Sequence, residues 1–272
     1  MDSTRPSPGA APDALGLPPT FLESALRADR AAALILLVVV PAVSWLWIVV
    51  MARDMYGSMT GPSAWMMTPR WDASHLLLLW AMWAVMMTGM MLPSASPLVL
   101  LYGAAARRSG DETATRRIYA LTAGYLFIWA LFSIGASALQ RGFSALLLMS
   151  PMMEGASARF SAALLLLAGL YQLTPIKLAC LRACQSPLGF LMSRWRGGVS
   201  GAFRMGLAHG AYCVGCCWAL MLLLFAGGVM NLAVIAALTA FVAFEKLAPF
   251  GRHAARITGT LLIAGGLWML VR

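Results

Sequence analysis

Seven long apolar runs divide the chain, near residues 31–51, 74–92, 118–139, 159–176, 204–226, 231–247 and 257–271, and nearly every charge lies in a gap between them. A helix needs roughly 20 apolar residues to cross a hydrocarbon core about 30 Å thick at 1.5 Å per residue. Most of the runs reach that length. The seventh is short, and only Gly227-Gly228-Val229-Met230-Asn231 separates the fifth from the sixth. In lipid every backbone N–H and C=O must be satisfied inside the protein, which leaves the helix as the conformation for runs of this kind. The pattern predicts an all-α fold: a polytopic transmembrane helix bundle of about seven spans, a multi-pass protein of the cell (inner) membrane with the lipid bilayer as its first partner.

Composition agrees. Of 272 residues, 61% are hydrophobic and 11% charged, against about 25% charged in soluble domains. The net charge of +10 would suit nucleic acid if it formed a patch. Here it is parcelled into short loops, so no nucleic-acid partner is expected, and the charge becomes a topology signal with anionic lipid headgroups as a further attraction. Fifteen basic residues fall on one side of the alternating spans: Arg5, Arg27, Arg30, Arg107, Arg108, Arg116, Arg117, Lys177, Arg182, Arg194, Arg196, Arg204, Lys246, Arg252 and Arg256. Five fall on the other: Arg53, Arg70, Arg141, Arg159 and Arg272. The positive-inside rule makes the first side, and with it the N-terminus, cytoplasmic.

Residues 1–19, rich in Pro, Ala, Ser and Gly, are expected to form a disordered cytoplasmic tail. The transmembrane helical domain occupies 20–272, opening at Thr20, whose spacing to Glu23 is that of a capping box. The run Ala31 to Met51 is too long for the core of a secretory signal and is expected to be a retained first span. Pro41 falls within it, Pro93 and Pro97 at the inner end of the second run, and Pro175 at the inner end of the fourth. Proline in a membrane helix frees a carbonyl and permits a kink.

The chemistry concentrates in His209-Gly-Ala-Tyr-Cys213-Val-Gly-Cys216-Cys217. Positions i, i+4 and i+7 share a helix face, so His209, Cys213 and Cys216 make one stripe with Cys217 at its margin. Thiolates select Cu(I) or zinc and imidazole suits both. Single cysteines in helices are usually small packing residues; three with a histidine on one stripe point instead to a metal site. Cys180 and Cys184 form a second pair at i, i+4 beyond Pro175, able to face the first across two helices. Met82, Met86 and Met90 run along one face of the second helix, with Met87 and Met91 beside them. Thioethers are soft donors that favour Cu(I), although methionine is also a common core filler. More methionines crowd the outer loops: Met55, Met59, Met66, Met67, Met149, Met152 and Met153. Thioethers outside and thiols inside would make a gradient of rising affinity for copper. Glu245, followed by Lys246 at the end of the sixth run, is either a counter-charge or ligand for the metal or an interfacial anchor. His75, three residues after Asp72, is either a ligand at the mouth of such a path or simply solvated; His253, in a basic loop, reads as structural.

Phosphate-cradling glycine loops, nucleophile elbows and zinc-protease helix motifs are absent from the sequence. Two function classes follow. One is a soft-metal carrier, for Cu(I) first and zinc second, with Cys213, Cys216, Cys217 and His209 as main ligands, Cys180 and Cys184 as a receiving pair, Met86 and Met90 as feeders, and a cuproenzyme or a soluble metallochaperone as partner. The other is an enzyme, a membrane thiol–disulfide oxidoreductase using the CxxC at Cys213 and Cys216 with the Cys180–Cys184 pair. Inward-facing cysteines and the adjacent Cys217 fit the second less well. A scaffold for other membrane proteins would need neither metal nor redox chemistry.

Four segments together carry a family resemblance. These are Met86-Met87 with Met90-Met91-Leu92-Pro93-Ser94-Ala95; Tyr171-Gln172-Leu173-Thr174-Pro175-Ile176-Lys177 with Cys180 and Cys184; His209-Gly210 through Cys213, Cys216 and Cys217; and Glu245-Lys246. Over roughly residues 75–250 the chain resembles the bacterial family of predicted metal-binding integral membrane proteins of unknown function, which includes a copper chaperone for a tyrosinase-type polyphenol oxidase. The resemblance implies metal binding and copper supply to a cuproenzyme.

Overall fold

The structure is a computed structural model that describes residues 35–57, 72–108, 113–150 and 153–272. The expected N-terminal tail, the Thr20 cap and Met59, Met66, Met67 and Met152 lie outside the described residues. All regular structure among the described residues is helical, apart from one isolated bridge between Met149 and Gly155.

A π-turn at Ile35–Val39 runs into α1 (Val40–Met55). Pro41 sits where the π-turn gives way to the first turn of α1, inside one continuous helical stretch. α2 (Ala73–Met91) is capped by Asp72, whose carboxylate accepts the backbone N–H of His75 at 2.8 Å. This local capping bond explains the i, i+3 spacing of Asp72 and His75.

Pro93 stops α2, because it has no N–H to give to the carbonyl of Gly89. The indole of Trp45 supplies that bond instead, at 3.3 Å. A 3-10 turn, Pro93–Ala95, then leads into α3 (Ser96–Arg108), a 13-residue helix where the sequence suggested a loop. α4 (Ala114–Ala145) has 32 residues.

α5 (Ala158–Gln172) and α6 (Pro175–Gln185) form a pair bent by 66° at Leu173 and Thr174. Pro175 opens α6, and the Thr174 hydroxyl both accepts from the N–H of Lys177 and donates to the carbonyl of Tyr171, the acceptor that Pro175 leaves without its i+4 donor. α7 (Pro187–Arg194) is short, and α8 (Gly198–Met221) continues into α9 (Leu223–Gly227). Asn231 caps α10 (Leu232–Leu247), and α11 (Gly251–Val271) ends the chain.

Among the described residues five helical stretches are long and apolar enough to cross a membrane: Ile35–Met55, Ala73–Met91, Ala114–Ala145, Gly198–Gly227 and Gly251–Val271. The bent pair α5–α6 makes a sixth if it is one broken span. The run expected at 231–247 is α10, whose 16 residues reach about 24 Å, short of the ~30 Å core.

α8 packs against α4 and α6, α2 against α1 and α4, and α11 against α5. The α4–α8 contact is backbone-close: a Cβ added to Gly206 would lie 2.0 Å from the carbonyl oxygen of Leu121. Small residues let membrane helices approach in this way. The close approach holds the middle of α8, which carries the cysteines, beside Tyr125 of α4.

Among the described residues four charged side chains are interior: Arg117, Lys177, Glu245 and Lys246. The sequence reading placed Arg117 and Lys177 in loops and Lys246 at the interfacial end of the sixth run. Arg117 instead donates to the Tyr102 hydroxyl at 2.9 Å and lies over the rings of Tyr102 and Trp195. Met55, Met149 and Met153, assigned to an outer loop by sequence, are buried in the same apolar cluster as Met82, Met86, Met87, Met90 and Met91.

Candidate metal centre

The three cysteines of α8 are all about 1% exposed. Cys213 and Cys217, one turn apart, reach the end of α2 and the end of α10. Lys246 donates from Nζ to Cys213 Sγ at 2.8 Å and to Ser94 Oγ at 3.2 Å, with Met91 Sδ at 3.9 Å. Cys217 Sγ lies 4.0 Å from Met91 Sδ. The Tyr125 hydroxyl meets Cys213 Sγ at 3.0 Å and donates to the Met91 carbonyl, also at 3.0 Å. Cys216 turns the other way, toward α6, and its Sγ lies 4.0 Å from Cys184 Sγ.

Gly215 makes room for the second thiol of α6. A Cβ there would lie 2.8 Å from Cys180 Sγ, and the Gly215 carbonyl accepts the hydroxyl of Tyr171. The two cysteine groups therefore face one another across α6 and α8, as the sequence suggested. All five cysteines are free.

The donors are arranged in pairs rather than in one closed shell. Cys216 and Cys217 each donate S–H to the Cys213 carbonyl, at 3.1 and 3.0 Å. Among the described residues no group of three or more His, Cys, Asp or Glu side chains is placed to enclose a metal ion.

Glu245 is neighbour to Lys246 in sequence but not in environment. Its Oε2 accepts from Lys177 Nζ at 2.7 Å and its Oε1 from Gln172 Nε2 at 2.8 Å, while its backbone carbonyl accepts from Gln185 at 2.7 Å. Lys177 and Glu245 are 0% and 1% exposed. Both carboxylate oxygens are thus engaged in a buried pair tying α10 to α5 and α6.

His209 is buried between the rings of Tyr125 and Phe190, at centroid distances of 5.8 and 5.3 Å, and its Nδ1 has no hydrogen-bond partner among the described residues. It stands one turn before Cys213 and touches the cluster through Tyr125. Met86 and Met90 lie in the packed core, and the thioether recorded against a thiol is that of Met91. His75 is buried at the start of α2.

Residues 80–269 match the family described as PpoB2, copper chaperone. The chain belongs to that family. No curated protein and no solved structure matches it. Its function is therefore related to copper, and its apolar helices fit a membrane location.

For a member of the copper chaperone family, the residues that sequence reasoning undervalued are Lys246, Met91, Ser94 and Tyr125. Lys246 carried a signal: it follows Glu245 in the last turn of an apolar run, and two adjacent helix residues point about 100° apart, so one acid–base dipeptide can serve two neighbours. Ser94 was flagged only by its place between Pro93 and Pro97. Nothing in the sequence singled out Tyr125.

Proposed function

We propose that this protein is a Cu(I) chaperone of the bacterial inner membrane, taking the ion as cargo at the sulfur cluster between α2, α6, α8 and α10 and passing it to a cuproenzyme or a soluble metallochaperone. The observation that carries the reading is the pairing of soft donors, Cys184 with Cys216 and Cys217 with Met91, each at 4.0 Å, beside a buried ammonium. Two bonds of about 2.3 Å to sulfurs 4.0 Å apart subtend an angle of about 120° at the ion. That is the angle of a trigonal Cu(I) site, so the Cys184–Cys216 pair would need one further soft donor, whereas structural zinc asks for four tetrahedral ligands.

Each residue then has a task. Cys216 and Cys184 supply thiolates from facing helices, losing protons as the ion binds. Two thiolates around a monovalent ion leave one negative charge in an apolar interior, and Lys246, bonded to the neighbouring Cys213 rather than to the pair itself, is the buried cation whose charge acts on Cys216 and Cys184. Met91 offers a neutral thioether, a weaker donor suited to holding the ion on its way. Cys180, half-buried beside Gly215, is the next thiol along α6 and the natural hand-off point.

The seven-span topology with a cytoplasmic N-terminus belongs to the same proposal. Setting aside the three interior cations leaves 15 − 3 = 12 basic residues on one side against five on the other, the same sign as the full count. α10 would then be a short span shielded by its neighbours.

The test is an anaerobic competition titration of the reduced protein with Cu(I), alongside variants carrying Cys184→Ser with Cys216→Ser, and all five cysteines changed to serine. Tight binding, weakened in the pair variant and abolished in the full one, is expected. A wild-type protein that binds no Cu(I) and carries its cysteines as disulfides in native membranes would replace this reading with thiol–disulfide exchange.

A further inference from the structure

One end of the bundle carries a cavity of about 770 Å3 lined by Arg194, Arg196 and Arg204 together with Trp195 and Met205. All three arginine side chains are exposed. Arg194 is held in place by its bond to the Tyr212 hydroxyl at 2.7 Å and by stacking on that ring. The backbone N–H of Arg196 donates to Met205 Sδ at 3.3 Å. None of the three has a carboxylate partner among the described residues. The sequence explains why: no Asp or Glu lies between Glu154 and Glu245, and Glu245 is occupied by Lys177. Three guanidinium groups around one hollow, with no anion beside them among the described residues, call for an external one.

A second hollow of about 440 Å3 adjoins it, sharing Trp195. Its walls are Leu188, Leu191 and Met192 of α7, with Ala105 and Arg108 at the end of α3. α7 is eight residues long, buries Phe190 and Leu191, and leaves Leu188 and Met192 outward at 54% and 78% exposure. A short helix with an apolar outer edge and an arginine at its end is suited to lying in a membrane interface. Arg204 stands six residues into α8, about 9 Å along the helix, within reach of the interface by extending its side chain.

The geometry points to a bound anionic phospholipid: its phosphate in the arginine-lined cavity and an acyl chain in the apolar hollow along α7. A free phosphate would use the first and leave the second unexplained. The shared wall at Trp195 makes the two hollows one amphiphilic site, with an indole at the polar–apolar boundary where such rings settle. Basic pockets between membrane helices on the cytoplasmic side take lipid headgroups in this way. The proposal is independent of the copper reading, since no sulfur of the metal centre lines either hollow.

The experiment is native mass spectrometry of the full-length, delipidated protein titrated with phosphatidylglycerol, phosphatidylcholine or inorganic phosphate. Wild type should retain phosphatidylglycerol over phosphatidylcholine, with inorganic phosphate failing to displace it. Changing Arg194, Arg196 and Arg204 together to Gln should weaken phosphatidylglycerol binding roughly hundredfold, about 3 kcal/mol at about 1 kcal/mol per basic residue. The same change at Arg141, Arg159 and Arg272 should leave it unaltered, and Leu188→Ser with Met192→Ser should weaken both lipids. Equal retention of the two lipids by wild type, displacement by inorganic phosphate, or full binding by the arginine variant would overturn the proposal. The wild-type comparison decides by itself if the triple variant does not fold.

Discussion

Glu245 can be assigned by a double substitution. In the structure its carboxylate balances Lys177, with Gln172 as the second donor, at 2.7 and 2.8 Å and with both charges within 1% of full burial. Removing one member of such a pair leaves an uncompensated ion in a low-dielectric interior, which costs about 3–5 kcal/mol. Glu245→Gln should therefore destabilise the protein by that amount, even though the new amide can still accept from Gln172. Adding Lys177→Met removes the stranded ammonium while keeping the acceptor for Gln172, and should recover roughly 2 kcal/mol or more, because exchanging a whole buried pair for neutral groups is often close to neutral. The assay is reversible unfolding in mixed micelles for wild type, both single variants and the double, read with a Cu(I) competition titration on each folded form. The double variant should hold Cu(I) within about threefold of wild type, since 1.4 kcal/mol is tenfold and no first-hand contact to the ion is lost. A double variant as unstable as Glu245→Gln, or one that folds and binds copper tenfold more weakly, would refute the assignment and return Glu245 to the metal site.

Three other perturbations separate the parts of the design. Lys246→Met removes the cation at 2.8 Å from Cys213; a charged hydrogen bond of about 1.5–3 kcal/mol predicts Cu(I) binding weakened roughly 10- to 150-fold, and unchanged affinity in the same titration would remove Lys246 from the site. Gly206→Ala forces a Cβ against the Leu121 carbonyl and should cost about 1–3 kcal/mol of stability by overpacking, whereas Gly135→Ala, with nothing within 4 Å, should be neutral or stabilising; equal effects in unfolding experiments would contradict the close packing of α4 on α8. Mild oxidation of the copper-free protein in membranes should join Cys184 to Cys216, as mapped by peptide mass spectrometry, and prior loading with Cu(I) should protect them; a Cys213–Cys216 bridge formed instead would place the reactive pair on α8 alone.

The apolar runs made the helical fold legible because lipid leaves the backbone so few options. Helices α3 and α7 were not legible, since both are short and sit among residues that also suit loops: Pro187 and Gly189 in α7, and the arginines that end both helices. The stripe of thiols on α8 was legible because helical periodicity puts i and i+4 on one face whatever the tertiary context. Which way each thiol turns was not, because that depends on neighbours. Cys216 looks to Cys184 while Cys213 and Cys217 look to α2 and α10. The charge count failed at Lys177, Lys246 and Arg117 for a related reason. A cation at the end of an apolar run is an anchor if water is near and an interior charge if a partner is buried with it, and only the fold brings Glu245 to Lys177 or Cys213 to Lys246.

The broken helices and the sulfur cluster are one feature. Pro93 and Pro175 each leave a carbonyl without its helical donor, which in an apolar interior costs several kcal/mol unless another donor is found. Gly89 takes the indole N–H of Trp45, and Tyr171 takes both the hydroxyl and the backbone N–H of Thr174. The turn after α2 also turns the Met91 carbonyl to Ser94 and Tyr125, the residues that touch Lys246 and Cys213 respectively. The bend before α6 brings Lys177 to Glu245 and, two turns on, Cys184 to Cys216. Continuous helices at either position would carry Ser94 and Cys184 along the original axes and away from α8. The bends are therefore part of how α2, α6, α8 and α10 bring pairs of soft donors and one ammonium into the same interior region, and a copper ion held between Cys184 and Cys216 would bind to α6 and α8 together rather than to either helix alone.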